Sequence, residues 1–238
     1  MDQVEAAIQN YKMSDGVSEL VRSTKLLLIA GVVGGGKNTV INELIHDDSY
    51  HLIVSHTTRA SRTNHGIEEI NGVDYHFVTL EQIEQMLSDK SLVEAKYVHG
   101  NVYATSAAEL AYAKETDKVA VTDVNIHGVM EYLNVKPDTH AIFLLPPSVE
   151  TWLKRLERRY GDMDAHRDEI DRRLKTAYSE IKHIQADARF IIIINDDLAT
   201  TVERIEGVLA GDKHETSEYA DAVTEHLLTY LESHLSTH

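Results

Sequence analysis

The chain has 238 residues, 42% of them hydrophobic and 26% charged, and its formal net charge is -16 at pH 7. This composition is ordinary for a globular protein, and the lack of cysteine excludes disulfides and thiolate metal sites. The negative charge argues against nucleic-acid or anionic-membrane partners, and no run reaches the roughly 20 apolar residues of a membrane span. We therefore expect a cytoplasmic protein that holds anionic ligands with local cations.

Apolar runs alternate with helical spacing along most of the chain. Residues 1–24 indicate one or two weakly amphipathic helices, "KLLLIA" at 25–30 predicts a buried strand, and "KNTVINELI" predicts the helix after it. The segment "TLEQIEQMLSDKSLVEAKYV" predicts a helix that begins at Thr79 and is followed by a strand. Further strands are expected in "HLIVSHTTR", "DYHFVT", "KVAVTDVN", "HAIFLLP" and "RFIIIIN". This alternation predicts an α/β fold with a mostly parallel sheet covered on both faces.

The C-terminal part has a different pattern. Residues 211–218, "GDKHETSE", predict a polar linker. Beyond it, apolar residues recur at helical spacing: Ala220, Val223, Leu227, Leu231 and Leu235. This helix has one apolar stripe to bury, either against its own domain or against a second subunit.

Residues 31–39, "GVVGGGKNT", lie between the first strand and its helix. Gly31, Gly36 and Lys37 fit the phosphate-loop pattern G-x-x-x-x-G-K-[ST], but Asn38 stands where Ser or Thr is usual. Backbone N–H groups at such a helix start can cradle a polyphosphate, and the lysine can reach its terminal phosphates. The alternative is a glycine-rich turn with a surface lysine. The Asn38 amide oxygen suits Mg²⁺, and Thr39 is a second candidate ligand.

A longer signature lies downstream. Residues 55–78, "SHTTRASRTNHGIEEINGVDYHFV", resemble the guanylate kinase pattern S-x-T-T-R-x-x-R followed by an acidic residue, a glycine and Y-x-F. The resemblance extends over about residues 25–210 and includes "VEAKYVHGNVYATS", "VTDVNIHGV", "IFLLPPSVETWLKRLERR", "IDRRLKTAYSE" and "NDDL". It implies a three-layer P-loop NTPase-type parallel sheet with a small GMP-binding subdomain at about 55–105 and a helical lid at about 148–175. Residues 1–24 and 211–238 would be appendages.

The resemblance implies transfer of the terminal phosphoryl group of ATP to GMP. Five residues match positions that hold the GMP phosphate: Ser55, Arg59, Arg62, Tyr75 and Tyr103. Glu94 would accept from guanine N1–H and the exocyclic amine, and Thr105 would donate to the guanine carbonyl. Asp123 and Asn125 complete the implied GMP set, although the family usually has a second Asp where this chain has Asn125.

For ATP, the implied contacts are Gly31, Gly34, Gly35, Gly36, Lys37, Asn38, Thr39 and Asn195. Lys37 would act with the lid arginines Arg155, Arg159 and Arg173 on the transferring phosphates. The segment "YGDMDAHRDE" would be the mobile lid that excludes water. Mg²⁺ would be held through Asn38 and Asp123.

Each implied role has a simpler alternative. The lid arginines could form a solvated helix face with weak ion pairs, and Tyr75 and Tyr103 could be half-buried core aromatics. At the level of function, a kinase for dGMP, another nucleotide or a phosphorylated sugar is one alternative, motivated by Asn125 and the long segment between Arg62 and Tyr75. An inactive binding module is another, and a homodimer through the terminal helices is a further expectation.

Overall fold

The computed structural model describes residues 2–64, 67–98, 100–211 and 217–236. The chain forms two compact units. Unit 1 consists of Met1–Leu26, Asp48–Thr122 and Met130–Pro137, and unit 2 of Leu27–Asp47, Asp123–Val129 and Asp138–His238. Most of the predicted linker at 211–218 lies outside the described residues.

The helices are α1 (Asp2–Gln9), α2 (Asp15–Ser23), α3 (Lys37–Leu44), α4 (Leu80–Ser88), α5 (Ala107–Glu115), α6 (Ile126–Val135), α7 (Val149–Tyr160), α8 (Arg167–Gln185), α9 (Leu198–Leu209) and α10 (Glu218–Ser236). The strands are β1 (Leu26–Gly31), β2 (Tyr50–Leu52), β3 (His56–Thr57), β4 (Thr63–Asn64), β5 (Ile67–Glu68), β6 (His76–Phe77), β7 (Leu92–Val98), β8 (Asn101–Ser106), β9 (Val119–Asp123), β10 (His140–Leu145) and β11 (Phe190–Ile194). No helix among the described residues is both long and apolar enough to cross a membrane.

Unit 2 is built on three parallel strands in the order β11-β10-β1. Their apolar residues are largely buried, as the continuous apolar runs predict. Ala30 pairs with Phe143, and Phe143 pairs with Ile192, so the carboxyl ends of all three strands lie at one edge. The glycine-rich segment follows β1 at this edge, and Asn195 follows β11 there. Ligands of open parallel sheets bind outside this edge.

The C-terminal helix α10 buries its apolar stripe within unit 2. It packs on α8, α7 and β11. Ala220, Val223, Leu227 and Leu231 are buried, and Tyr178 and Gln185 of α8 bond to Glu232 and Glu225 of α10 at 3.1 and 2.9 Å. Of the two ways to cover this stripe, the chain therefore uses its own domain.

Unit 1 contains a four-stranded mixed sheet in the order β6-β3-β8-β7, a β2–β9 parallel pair and a β4–β5 hairpin. The prediction of a single strand in "HLIVSHTTR" is wrong, because this segment forms both β2 and β3. Ile53 N–H still donates to the Val121 carbonyl of β9, whereas His56 pairs with Ala104 of β8. The chain therefore leaves one sheet and enters another within three residues.

A histidine cluster fastens the strands of unit 1 to α5. Glu109 accepts from His51 Nε2 at 3.2 Å, from His76 Nε2 at 2.8 Å and from the Val54 N–H at 3.2 Å. Burial raises the pKa of Glu109, but these donors outweigh burial and bring the pKa to about 2. The rings of His56 and His76 lie in tilted contact with their centroids 4.5 Å apart, and burial together with the electrostatic effect of His76 lowers the pKa of His56 to about 4.

We expect the free energy of unfolding to fall as the pH drops from about 6.5 to about 4. The unfolded chain protonates His56 near the ordinary pKa of about 6.5, while the folded protein resists protonation down to a pKa of about 4. A His56→Asn variant should therefore lose less stability over this range than the wild type. Urea denaturation at several pH values measures the slope, and His226→Asn, an exposed histidine on α10, is the control. Equal slopes for all three proteins would contradict this.

Candidate active site

The segment between β1 and α3 can be built only with glycines at several positions. Gly34 and Gly36 have φ values of 76° and 94°, in the left-handed region that favours glycine. A Cβ on Gly31 would lie 2.5 Å from the Leu144 carbonyl oxygen, and a Cβ on Gly35 would lie 2.9 Å from that same atom. The loop therefore packs its backbone tightly against β10 and ends at the first residue of α3.

Lys37 folds back over this loop. Its Nζ donates to the Gly31 carbonyl at 2.7 Å and approaches the Val32 carbonyl at 3.5 Å. The side chain is half-buried, so the ammonium group is held beside the positive end of α3.

Three side chains from other elements fix the loop backbone. Asn195 Nδ2 donates to the Gly35 carbonyl at 2.8 Å, and Trp152 Nε1 donates to the Val33 carbonyl at 2.6 Å. Arg155 donates to the Asn195 carbonyl at 2.9 Å, and burial lowers its pKa. Arg155 and Asn195, both predicted as site residues, thus lie at the loop and brace it.

Acidic groups surround Lys37. Asp123 ends β9; desolvation by the surrounding protein raises its pKa, and the charges of Lys37 and Arg159 oppose that rise. Glu180 of α8 was not predicted as a site residue, although it closes the segment "IDRRLKTAYSE" that carries the resemblance. Burial raises the pKa of Glu180 to about 7, with Asp123 adding to the rise and Lys37 opposing it. Asp123, Lys37 and Glu180 therefore form one electrostatic cluster.

The other two lid arginines are exposed. Arg159 lies with its Cζ 6.0 Å from the ring centroid of Tyr160 and close enough to Asp123 to affect its pKa. Arg173 pairs with Glu169 one turn earlier on α8, with Nε and Nη2 both 3.2 Å from the same carboxylate oxygen. This exposed pair contributes little to stability, so Arg173 is free to exchange Glu169 for a stronger anion.

Two residues of the first turn of α3 offer oxygen atoms to a cation. Asn38 and Thr39 are exposed, and Asp123 contributes a carboxylate in the same unit. Among the described residues, no group of three or more acidic or histidine side chains could hold a metal ion alone. Mg²⁺ at kinase sites usually takes one or two protein oxygens together with phosphates and waters, so this donor set fits it.

In unit 1, Arg59 is the centre of the predicted phosphate site. It is buried and pairs with Glu69 through two bonds, Nη1–Oε2 at 2.9 Å and Nη2–Oε1 at 3.0 Å. Its Cζ lies 5.1 Å from the ring centroid of Tyr75, and the rings of Tyr75 and Tyr103 are 6.0 Å apart. After Glu69, Tyr103 also contributes to the raised pKa of Arg59. The structure thus brings together Arg59, Tyr75 and Tyr103.

Glu69 is a second functional candidate that we did not predict. Its Oε2 also accepts from the Arg62 N–H at 2.8 Å, and bonding to Arg59 lowers its pKa. Glu69 lies at the acidic position of the signature in residues 55–78, so that motif could have identified it as a site residue. The Arg62 side chain is exposed, and the Ser55 carbonyl accepts from the His76 N–H at 2.9 Å, which fixes the start of β3.

Glu94 and Thr105 form a buried polar pair on neighbouring strands. Thr105 Oγ1 donates to Glu94 Oε1 at 2.9 Å, and Lys96 Nζ lies 3.6 Å from Glu94 Oε2. The two residues are 6% and 0% exposed, which is unusual for a carboxylate. A buried carboxylate and hydroxyl are suited to reading a purine edge by hydrogen bonds.

Asn125 has a local structural role. Its Oδ1 accepts from the Gly128 N–H at 3.0 Å and so caps the first turn of α6. An asparagine can cap a helix as well as the aspartate that is usual in the family. The substitution therefore keeps the helix start while removing one charge.

Comparisons with known proteins agree with this geometry. A family model described as guanylate kinase matches residues 23–212. The chain is 32% identical over 206 residues to a guanylate kinase of Clostridioides difficile (strain 630), covering 86% of this chain and 96% of that protein. It is 31% identical over 206 residues to a guanylate kinase of Schizosaccharomyces pombe, covering 84% and 98%. The crystal structure of guanylate kinase from Anaplasma phagocytophilum superposes with a TM-score of 0.58 at 26% identity, over 83% of this chain and 90% of that one. The chain belongs to the guanylate kinase family.

Proposed function

We propose that this protein phosphorylates GMP to GDP with ATP through the residues described above. The observation that carries the proposal is the buried Glu94–Thr105 pair. A phosphate loop is common to many nucleotide-binding proteins, whereas a buried carboxylate suits a ligand with adjacent N–H donors. The Thr105 hydroxyl donates to Glu94 in this structure and would have to turn to reach a guanine carbonyl. An inactive binding module would have no chemical need for the pair.

On the ATP side, the loop N–H groups and Lys37 bind the β- and γ-phosphates. Asn195 donates to the Gly35 carbonyl and Arg155 Nη1 donates to the Gly34 carbonyl, so the loop N–H groups stay directed at the phosphates. Arg159 and Arg173, both exposed, move onto the γ-phosphate as negative charge develops during transfer. Asn38 and Asp123 would hold Mg²⁺, which supplies charge neutralisation on the β- and γ-phosphates.

On the GMP side, Arg59 binds the acceptor phosphate together with Arg62, Ser55 and the two tyrosine hydroxyls. Glu69 keeps the Arg59 guanidinium in a fixed plane, so that its remaining donors face the phosphate. Asp123 and Asn125 remain proposed GMP contacts. A phosphate oxygen of GMP then attacks the γ-phosphorus of ATP in line, and ADP leaves without a covalent intermediate.

Replacing Glu94 with Gln should lower kcat/KM for GMP by about 100-fold, because each hydrogen bond to a charged group contributes about 1.5–3 kcal/mol. Glutamine offers one acceptor and two donors where guanine needs two acceptors. Steady-state kinetics with GMP and AMP measure the effect, and Glu84→Gln, an exposed glutamate on α4, is the matched control. A Glu94→Gln enzyme with wild-type selectivity would refute the assigned role.

The proposed activity itself is tested by a coupled assay of ADP release with purified protein, ATP, Mg²⁺ and GMP. A panel of acceptors that includes dGMP, AMP and a phosphorylated sugar checks the alternative acceptors. We expect turnover that is fastest with GMP. Lack of turnover with all components present would rule out the enzyme, and a clear preference for another acceptor would replace the substrate.

A cytoplasmic location, a role in purine metabolism and a homodimer remain proposals. The absence of cysteine supports a reducing compartment. The stripe of α10 is already buried within unit 2, so a dimer would need another surface.

A further inference from the structure

The N-terminal segment lies against an edge strand of unit 1. β7 is the last strand of the order β6-β3-β8-β7, so within the part of the chain that the structure describes, one side of its backbone has no neighbouring strand. Tyr11 takes the place of that neighbour at Leu92. The Tyr11 hydroxyl donates to the Leu92 carbonyl at 2.7 Å and accepts from the Leu92 N–H at 3.1 Å. One hydroxyl thus satisfies both backbone groups of one strand residue.

Tyr11 is held in place by α1. Val4 and Ile8 of α1 are buried in an apolar cluster with residues of α4, β7 and β8, and the Tyr11 ring packs against the same cluster. Ser14 Oγ donates to the Lys90 carbonyl at 3.3 Å, a second bond from this segment to the chain just before β7. The approach of Tyr11 to Leu92 is therefore fixed by packing and by a neighbouring polar contact.

The contact lies next to an irregularity in the strand pairing. Leu92 pairs with Ser106 and Glu94 with Thr105, so the register shifts by one residue between Leu92 and Glu94. A bulge leaves one residue outside the regular ladder and bends the strand, which makes the direction of the following side chains sensitive to local support. The residue directly after this shift is Glu94, which is proposed to recognise guanine.

We propose that Tyr11 is a positioning residue for guanine recognition, acting through the backbone of Leu92 on the carboxylate of Glu94. This inference rests on the proposed function of Glu94. Tyr11 lies outside residues 23–212, which match the family model. Without the hydroxyl, the Leu92 N–H and carbonyl lose their partner, the edge strand loosens at the bulge, and the plane of the Glu94 carboxylate turns.

The test is a Tyr11→Phe variant, which keeps the ring in the apolar cluster and removes only the hydroxyl. GMP offers Glu94 two N–H donors, whereas IMP lacks the exocyclic amine and offers one. We expect the ratio of kcat/KM for GMP to that for IMP to fall by roughly 3- to 30-fold, since a misplacement of about 1 Å can cost about 100-fold. KM for ATP should not change.

Tyr219→Phe, an exposed tyrosine on α10, is the control and should keep the wild-type ratio. A loss of folded protein lowers the rate with both acceptors equally and leaves their ratio constant. An unchanged ratio in Tyr11→Phe therefore overturns the inference. If Glu94→Gln also leaves the GMP-to-IMP ratio unchanged, the proposed function of Glu94 is contradicted as well. If the ratio changes in Glu94→Gln but not in Tyr11→Phe, only the inference about Tyr11 is contradicted.

Amide hydrogen exchange provides a readout that needs no catalysis. The Leu92 N–H should exchange at least about tenfold faster in Tyr11→Phe than in the wild type, because its acceptor is gone. The Val102 N–H, which donates to Thr58 Oγ1 at 2.9 Å, is an internal reference that should not change. Equal exchange of the Leu92 amide in both proteins would show that the hydroxyl does not hold this strand, and would overturn the inference.

Discussion

Lys37→Met is expected to lower kcat by about 100- to 1000-fold, the usual cost of removing one donor aimed at transition-state charge. The Gly31 carbonyl already holds the Lys37 ammonium beside the loop, so the wild type needs no further reorganisation to place this charge during transfer. Methionine has a similar length and stays half-buried, so the fold should persist. Rapid-quench or coupled kinetics measure kcat, and thermal unfolding verifies the fold.

The matched control for this variant is Lys154→Met on α7. Lys154 is exposed and pairs with Glu150 one turn earlier, a contact that contributes little. It should keep wild-type kcat. If Lys37→Met stays within about threefold of the wild type, the loop is a glycine-rich turn and not the phosphate site.

Arg59→Ala is expected to raise KM for GMP and to lower kcat/KM for GMP by about 100-fold or more, while KM for ATP stays close to the wild-type value. The guanidinium gives bidentate, charge-assisted bonds to a phosphate, each worth about 1.5–3 kcal/mol. The same change removes the partner of Glu69, and breaking a buried ion pair costs about 3–5 kcal/mol of stability. Kinetics should therefore show the weaker use of GMP, and urea denaturation should show a lower free energy of unfolding.

Two further variants separate these effects. Arg59→Lys keeps the charge but cannot bond to Glu69 through two planar donors, so it should recover part of the GMP affinity without full activity. Arg22→Ala removes an exposed pair with Glu19 in the same unit and should leave both readouts unchanged. A selective rise of KM for ATP in Arg59→Ala would contradict the assignment to the acceptor phosphate.

Much of the fold was predictable because the signals are local. The strands β1, β10 and β11 are continuous apolar runs, and Thr79 forms a capping box with Gln82 at the start of α4. Where the prediction of a single strand at "HLIVSHTTR" was wrong, the cause is not local, because the break depends on which strand each half pairs with. The apolar content of the segment does not carry that information.

The candidate site divides in the same way. The glycine loop, the arginines and Glu94 were predicted from motifs, and their roles remain predictions that the variants above test. Two acidic residues, Glu69 and Glu180, lie inside the family motifs, but the motifs do not show their partners; in the fold, Glu69 pairs with Arg59 and Glu180 is electrostatically coupled to Lys37. Arg155 was predicted as a phosphate contact, and the structure adds that it braces the loop.

The sequence by itself determined the family, the buried strands of the parallel sheet, and the kinds of side chain available for phosphate and guanine, because each depends on short segments of chain. The tertiary structure decided which of these side chains are fixed and by what. Tyr11 and Leu92 are 81 residues apart along the chain, and Arg155 and Asn195 are 40 apart. Bonds over such separations depend on how helices and strands pack against one another, and the spacing of residue types along the chain does not predict that packing.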